Sequence, residues 1–463
     1  MKLTSIALAT LLLAGCAHGP AARAPEVPTP TAWALDAGDA APDWAGLLDP
    51  TLAALQARAL QANRDIALAA QSWKQAQLLV EQSTLRWTPS AGLSANASRP
   101  LETQSTTRNV DVGGVTVPVT TSTGWSRSYG ASLGIGYELD LWDRLGQTTA
   151  LQRAQAEAAR TDIAAARLLI RSQVAEAYWT LAAIRAQRPL AEAQLALTRE
   201  TLELTRARVR EGKLLPIELD KIAVTVQAAE SRLADLAADA RLQRHVLALL
   251  LDEPLPGPAP DAALQAVLPA GEPPRWRLAE PADVLAQRPD VQRARLGVDA
   301  ALARLRVSEA ERYPRLSFSA ALSTGGTRSN DWLSQPLAAF AANLAVPLID
   351  WQRLNLQRDG ARTELDTAAL TLRDTLQKAL ADIEAQRIEA ERSAQQLQAN
   401  AGRLKEAVEN ERLARLRYDV GAISRADWLQ IRSAVLDAEQ TRIRLRLTQW
   451  VRQAALFKSL GGA

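Results

Sequence analysis

Side chains able to do covalent chemistry are scarce in this chain. Among 463 residues there is one cysteine, Cys16, and there are two histidines, His18 and His245. A disulfide within the chain is therefore impossible, and a Cys/His metal site has almost nothing to build with. No P-loop or dinucleotide fingerprint occurs. Lys+Arg number 54 and Asp+Glu 51, and no basic block stands out, which gives nucleic-acid binding little support. The chemistry on offer is that of a single thiol. Its setting is specific: Lys2 precedes the apolar run L-T-S-I-A-L-A-T-L-L-L, which ends in L-A-G-C. That run is short for a bilayer span and has the form of a signal-peptide core.

Leu13-Ala14-Gly15-Cys16 resembles the bacterial lipobox. In such lipoproteins the cysteine becomes the first residue and carries a diacylglyceryl thioether and an N-acyl chain. The alternative is an ordinary signal peptide that contains a cysteine. Ala17 is not the Asp that commonly retains lipoproteins in the inner membrane. Residues 1–15 are thus expected to be a signal peptide. Residues 16–46, rich in Pro and Ala, are expected to be the lipidated N-terminus and an extended linker. No cofactor is expected beyond the covalent lipid on Cys16. The rest of the chain has no helical membrane span, so any further crossing must be made of strands.

One such strand is plain. In S-Y-G-A-S-L-G-I-G-Y-E-L, Ser128–Leu139, the residues Tyr129, Ala131, Leu133, Ile135, Tyr137 and Leu139 alternate with Ser, Gly and Glu. That is period-two alternation with one apolar and one polar face. Three further stretches alternate likewise, around 91–98, 316–322 and 338–346. Each has about the length of a transmembrane strand.

The elements that hold these strands are written twice. Asn63-Arg64-Asp65-Ile66 matches Arg288-Pro289-Asp290-Val291 at an offset of 225, as does Pro89 with Pro314. Trp142-Asp143-Arg144-Leu145 matches Trp351-Gln352-Arg353-Leu354 at 209, as do Gly212 with Gly421 and Glu230 with Glu439. The offset falls between the Pro and Trp pairs, so the first half carries a longer insertion there. Each half, 47–253 and 280–463, reads as a helix (51–84 or 280–312), a strand, a loop, a second strand and a very long helical hairpin. The Pro-rich segment 254–279 joins the halves. The long helices, 143–211 and 352–419, would extend about 100 Å at 1.5 Å per residue. They end at Gly212 and Gly421, and helices of about 35 residues return. Ala369, Leu376, Ile383, Ala390, Leu397 and Leu404 recur every seven residues, which suits antiparallel coiled-coil packing. Pro189 predicts a kink or local break in the first long helix.

Four strands cannot close a barrel, and open edges are not tolerated in lipid, whereas three copies would supply twelve. At this point the chain resembles the TolC-type outer-membrane efflux family. The resemblance is carried by L-D-P-T-L-A-A-L at 48–55, N-R-D-I-A-L-A at 63–69 and Y-E-L-D-L-W-D-R-L-G at 137–146. It continues in Q-R-P-D-V at 287–291, Y-P-R-L-S-F at 313–318 and Y-D-V-G-A-I-S at 418–424. It implies a mixed α/β membrane protein: a homotrimeric, twelve-stranded β-barrel with four strands per chain, continued by a long α-helical periplasmic barrel. It also implies an outer-membrane location in a Gram-negative bacterium, with the lipobox pointing to the lipoprotein branch that usually serves resistance–nodulation–division pumps. The function implied is a passive exit duct for drugs or other small molecules. Its partners would be outer-membrane lipid, a periplasmic adaptor and an inner-membrane pump, with no catalytic residue. A type I protein secretion duct shares this architecture. A periplasmic coiled-coil scaffold lipoprotein is a third reading, and it would have no use for alternating strands.

The resemblance also assigns sites. The hairpin ends at Gly212 and at Val420-Gly421-Ala422 would form the periplasmic end and dock the adaptor. Ala422 departs from the family's V-G-L tip. Asp419, Asp427, Glu218 and Asp220 are the acidic candidates for narrowing the aperture; alternatively they are ordinary solvated helix-end charges. The loops at about 100–126 and 324–336 would face the cell exterior.

Overall fold

The computed structural model describes residues 44–99, 105–113, 115–122, 127–254, 266–274, 276, 278–328, 330, 333 and 336–462. The expected signal peptide, Cys16 and the linker up to residue 43 lie outside the described residues, as does most of the Pro-rich joint. In chain order the elements are α1 (Pro50–Ala62), α2 (Arg64–Leu85), β1 (Ser90–Ser98), β2 (Ser105–Val112), β3 (Val115–Ser122), β4 (Ser128–Leu139), α3 (Arg144–Arg210) and α4 (Pro216–Leu250). The second half follows with α5 (Pro281–Gln287), α6 (Pro289–Ala310), β5 (Arg315–Gly326), β6 (Leu337–Ala345), α7 (Trp351–Asp419) and α8 (Arg425–Ser459). The chain forms two compact units. One holds 75–156 and 297–369, the other 44–74, 157–296 and 370–462.

In the first unit β1, β4, β5 and β6 form an antiparallel sheet in the order β1-β4-β5-β6. The register aligns like with like. Leu93 pairs with Leu133, Leu133 with Leu322, and Leu322 with Ala338. Ala91, Ile135, Ala320 and Phe340 form the next such row, and Leu139, Leu316 and Leu344 lie nearer the helical end. The intervening rungs are small or polar, such as Ser94-Ser132-Ser323 and Gly92-Gly134-Ala321. Ser94 and Ser132 hydroxyls lie 2.8 Å apart, and those of Ser98 and Ser128 2.6 Å apart. Gly130-Ala131-Ser132-Leu133-Gly134 has the G-x-S-x-G form of a nucleophile elbow. Ser132 nevertheless sits in the middle of β4 rather than on a strand-to-helix turn, so it is a strand residue.

The four alternating stretches are strands as expected, but the segment between β1 and β4 is not merely a loop. It holds the hairpin β2–β3, in which Val112 pairs with Val115 across a two-residue turn and Gly113 has φ +66°. V-D-V-G-G-V-T-V is itself a hairpin signal, alternation on both sides of a Gly-Gly turn. The hairpin occupies the insertion that the two repeat offsets require.

The start of α3 explains Y-E-L-D-L-W-D-R-L-G. The Asp140 carboxylate accepts from the backbone N–H groups of Arg144 (2.7 Å), Leu145 (2.9 Å) and Gly146 (3.0 Å), satisfying donors that a helix start leaves unpaired. Arg144 pairs with Glu138 at 2.7 Å. Trp142 donates to the Pro314 carbonyl at 2.8 Å and stacks on Tyr313. The second half uses a different contact there: the Arg312 guanidinium lies 4.6 Å over the Trp351 ring.

In the second unit the core is aromatic. Trp44 stacks on Phe457 at 4.5 Å, Trp179 meets Trp450 at 5.3 Å, and Trp276 meets Phe457 edge-on. Tyr178 donates to Asp49 at 2.8 Å, and burial followed by that bond pushes its hydroxyl up to about 12.

Each helix expected over 51–84 and 280–312 is in fact two. The first breaks at Asn63, whose side chain caps α2 by accepting from Asp65 N–H at 2.9 Å and donates to the Leu250 carbonyl at 3.0 Å. The second breaks at Arg288, because a residue before proline avoids the helical region and Pro289 opens the next helix. Arg288 donates to the Ser459 carbonyl at 2.5 Å. Asn63 and Arg288 are related by the first repeat offset, and Leu250 and Ser459 by the second. The same joint is thus built once from an amide and once from a guanidinium.

Pro189 does not break α3, which is helical from Arg144 to Arg210. Ile184, Ala191 and Leu236 form a buried cluster around it, so packing on α4 holds the helix where proline removes a backbone donor. On α7 the expected heptad row is buried at Leu376 and Ile383 and partly buried at Ala369, Ala390, Leu397 and Leu404. A second row, Leu365, Leu372, Ala379, Ser393, Asn400 and Ala414, completes the seam. Asn400 donates to the Ala438 carbonyl of α8 at 3.3 Å, a polar contact of the kind that sets register.

Candidate functional site

Both hairpin ends in the second unit close by the same backbone device. At the end of α3 the Gly212 N–H donates to the Val209 carbonyl (3.0 Å) and the Lys213 N–H to the Arg208 carbonyl (2.9 Å). At the end of α7 the Gly421 N–H donates to Tyr418 O (2.9 Å) and the Ala422 N–H to Arg417 O (2.7 Å). This is the Schellman pair, with glycine in the left-handed region at φ +70° and +75°. A Cβ on either glycine would meet no atom within 4 Å, so conformation and not crowding selects glycine there.

The two ends restart differently. α4 begins with Pro216 after Leu215, whose side chain is 69% exposed, with Ile217 exposed beside it. α8 begins with a reciprocal cap: Ser424 accepts from Asp427 N–H, and Asp427 accepts from Ser424 N–H at 3.1 Å and from its hydroxyl at 2.7 Å. Val420 is 79% exposed and Ala422 is exposed, so Val420-Gly421-Ala422 presents a small apolar step at the very end. Beside it a groove between α7 and α8 is lined by Leu413, Ala414, Arg417, Ile423 and Ile431.

The four acidic candidates are not equivalent. The Asp427 carboxyl is held below its ordinary range by the Ser424 hydroxyl and then the Ser424 N–H, so its acceptor capacity serves the cap. Glu218 pairs with Lys221 at 2.7 Å. Asp220 and Asp419 are exposed, and among the described residues neither makes an ion pair. These two suit an aperture better than the capped or paired carboxylates.

Residues just behind the tip were missed from sequence. Tyr418 and Trp428 stack at 5.6 Å, with the Arg425 guanidinium 5.5 Å from the first ring and 5.0 Å from the second. Arg425 reaches from α8 to Glu200 of α3 at 2.6 Å, and its protonated form is favoured first by Glu200 and then by Tyr418. Trp428 donates to Glu411 at 3.1 Å. The spacing Y-x₆-R-x₂-W was the available signal: three large side chains bracketing a helix reversal. The Arg425–Glu200 pair is exposed, so its net worth is small, yet it ties the two hairpins of one chain together. Glu200→Gln is expected to leave the unfolding temperature nearly unchanged. It should at the same time broaden the distance distribution between spin labels placed on the two hairpin ends. An unchanged distribution would show that the pair restrains nothing.

A sheet with one apolar and one small-residue face, whose outer strands have an unpaired edge among the described residues, in a chain of paired long helices, has the form of a membrane duct. The chain belongs to the outer membrane efflux protein family, which matches residues 55–252 and 281–462. It is 28% identical over its whole length to the pyoverdine export outer membrane protein OpmQ of Pseudomonas aeruginosa, covering 97% of that protein. It is 26% identical over its whole length to the antibiotic efflux pump outer membrane protein ArpC of Pseudomonas putida, covering 95% of that protein. Its fold superposes on the Neisseria gonorrhoeae MtrE outer membrane channel with a TM-score of 0.79 at 21% identity, covering 96% of this chain and 98% of the other.

Proposed function

We propose that three copies of this chain close a twelve-stranded barrel, anchored to the outer membrane through lipid on Cys16 as well as by the barrel, and pass small organic molecules outward. The single observation that carries the assembly is the four-stranded sheet whose outer members, β1 and β6, each have one edge unpaired among the described residues. In hydrocarbon such an edge is untenable, and three sheets joined edge to edge remove it. The chain does no chemistry on its cargo: an inner-membrane pump supplies energy, and a periplasmic adaptor joins pump to duct at the hairpin ends. Relatives named for pyoverdine export and antibiotic efflux favour small molecules over a protein cargo.

The test is the mass of the Cys16→Ala variant, exported with a cleavable signal peptide and purified in detergent. It should be a trimer, because the acyl chains add membrane affinity without building the duct. A monodisperse, water-soluble monomer would overturn the assembly. The docking role is tested at Gly421. Asn tolerates the left-handed conformation and finds open space there, but adds a polar side chain to the apolar step. Gly421→Asn should assemble normally yet lose adaptor cross-linking and efflux together. Normal cross-linking and efflux would reduce Gly421 to a turn residue.

A further inference from the structure

The ends of the strands farthest from the helices carry three arginines that the duct reading does not use. Ser98 and Ser128 are the last paired rung between β1 and β4, and Arg99 and Arg127 are the next residue on each strand. On the other side of β4, Tyr129 pairs with Gly326, and Arg328 stands two residues beyond. Continuing the antiparallel pairing by one step between β1 and β4 and by two between β4 and β5 sets Arg99, Arg127 and Arg328 in one line across three strands. All three are exposed.

The alternation also says which face they continue. Arg127 has the parity of Tyr129, Leu133 and Ile135, and Arg99 that of Ala97 and Leu93, so the line extends the apolar face and not the Ser/Gly face. In the barrel reading, on which this inference rests, that face meets lipid. Its arginine end lies opposite the helices, at the outer leaflet. An apolar belt capped by a row of guanidinium groups matches hydrocarbon capped by anions at headgroup depth. Arginine suits phosphate in particular, because its planar fork bonds two oxygens at once. Each guanidinium has five donors, so a partner within the chain leaves donors over.

We propose that Arg99, Arg127 and Arg328 form a clamp for the phosphate groups of an outer-leaflet lipid, on the outside of the barrel. The clamp would fix the depth of the barrel and seat a lipid at fixed positions around it.

The experiment is native mass spectrometry of the full-length protein released from detergent, with diphosphoryl lipid A or its fully dephosphorylated form added. The wild-type protein should bind the phosphorylated form about a hundredfold more tightly than does the variant Arg99→Gln/Arg127→Gln/Arg328→Gln. The dephosphorylated form should not distinguish the two. Arg160→Gln/Arg206→Gln/Arg412→Gln removes as many charges from helices and should bind like wild type. Should the first triple variant fail to assemble, Arg127→Gln alone reads the same preference. A trimer that binds both lipids equally, or an equal loss in the helical control, overturns the clamp and leaves the duct reading standing. A wild-type protein that is not a trimer overturns both.

Discussion

Arg288→Ala is expected to lower the apparent unfolding temperature of the detergent-solubilised protein and to remove part of its sensitivity to acid. The Arg288 side chain is 11% exposed and holds four groups: both Asp290 oxygens, at 3.0 and 2.8 Å, Asp382 at 3.2 Å, and the Ser459 carbonyl. It thus joins the break between α5 and α6 to α7 and to the end of α8. Truncation leaves the Ser459 carbonyl without this donor and separates three elements. Hydrogen bonds to charged groups of this kind suggest a loss of about 2–4 kcal/mol. The acid term follows from Asp290. Burial works to raise its carboxyl, but the hydrogen bonds and charge of Arg288 outweigh burial and hold it below its ordinary 3.8. A depressed carboxyl contributes stability that is present above the unfolded value and lost as pH falls through the folded one. The wild-type unfolding temperature should therefore fall between about pH 5 and pH 2, and the alanine variant should fall less across that window. Parallel curves for the two proteins would mean that Asp290 is not governed by Arg288.

Trp179→Ala should cost more still. Trp179 is fully buried and packs against Trp44 and Trp450 where α3, α8 and the start of the described chain meet. Removing an indole from a packed core costs about 3–5 kcal/mol, from lost burial and from the cavity left behind. Trp87→Ala is the comparison, because that side chain is 45% exposed and its substitution should stay within about 1 kcal/mol. The readout is the circular-dichroism melting temperature at a fixed scan rate. Comparable melting of the two variants would mean that the aromatic cluster is not the core of its unit.

Much of this was written in the sequence because period and punctuation agreed. Alternation marks β1, β4, β5 and β6, and the register then pairs Leu93, Leu133 and Leu322 as the apolar faces require. Gly212 and Gly421 end helices for a reason local to the backbone, so their positions could be read without tertiary knowledge. Other features depend on contacts distant in sequence. The break at Asn63 has no proline to announce it; it is fixed by a bond to the Leu250 carbonyl 187 positions away. Pro189 shows the converse, a local breaker overruled by packing between α3 and α4. The β2–β3 hairpin is legible in V-D-V-G-G-V-T-V, although a barrel argument that needs only four strands does not call for it. At the tip, residue type alone could not separate Asp427, which serves a cap, from Asp220 and Asp419.

The inner wall of the barrel has a kinetic consequence. Along β1, β4 and β5 the face opposite the apolar belt offers Ser, Gly, Ala and Asn96 up to its helical end, in rungs such as Ser94-Ser132-Ser323, with no aromatic ring. Charge is confined to its helical end, where Glu138 pairs with Arg144 and Arg315 of β5 lies on the same face. Hydroxyl groups in contact with water exchange one hydrogen bond for another at little net gain. Beyond that charged end, a surface of this kind has no deep well in which cargo would dwell. Passage through it is close to free diffusion, so the final stretch of the route adds little residence time and no preference among solutes. Discrimination must then be exercised upstream, and one exit can serve chemically unrelated traffic without being blocked by the member that binds best.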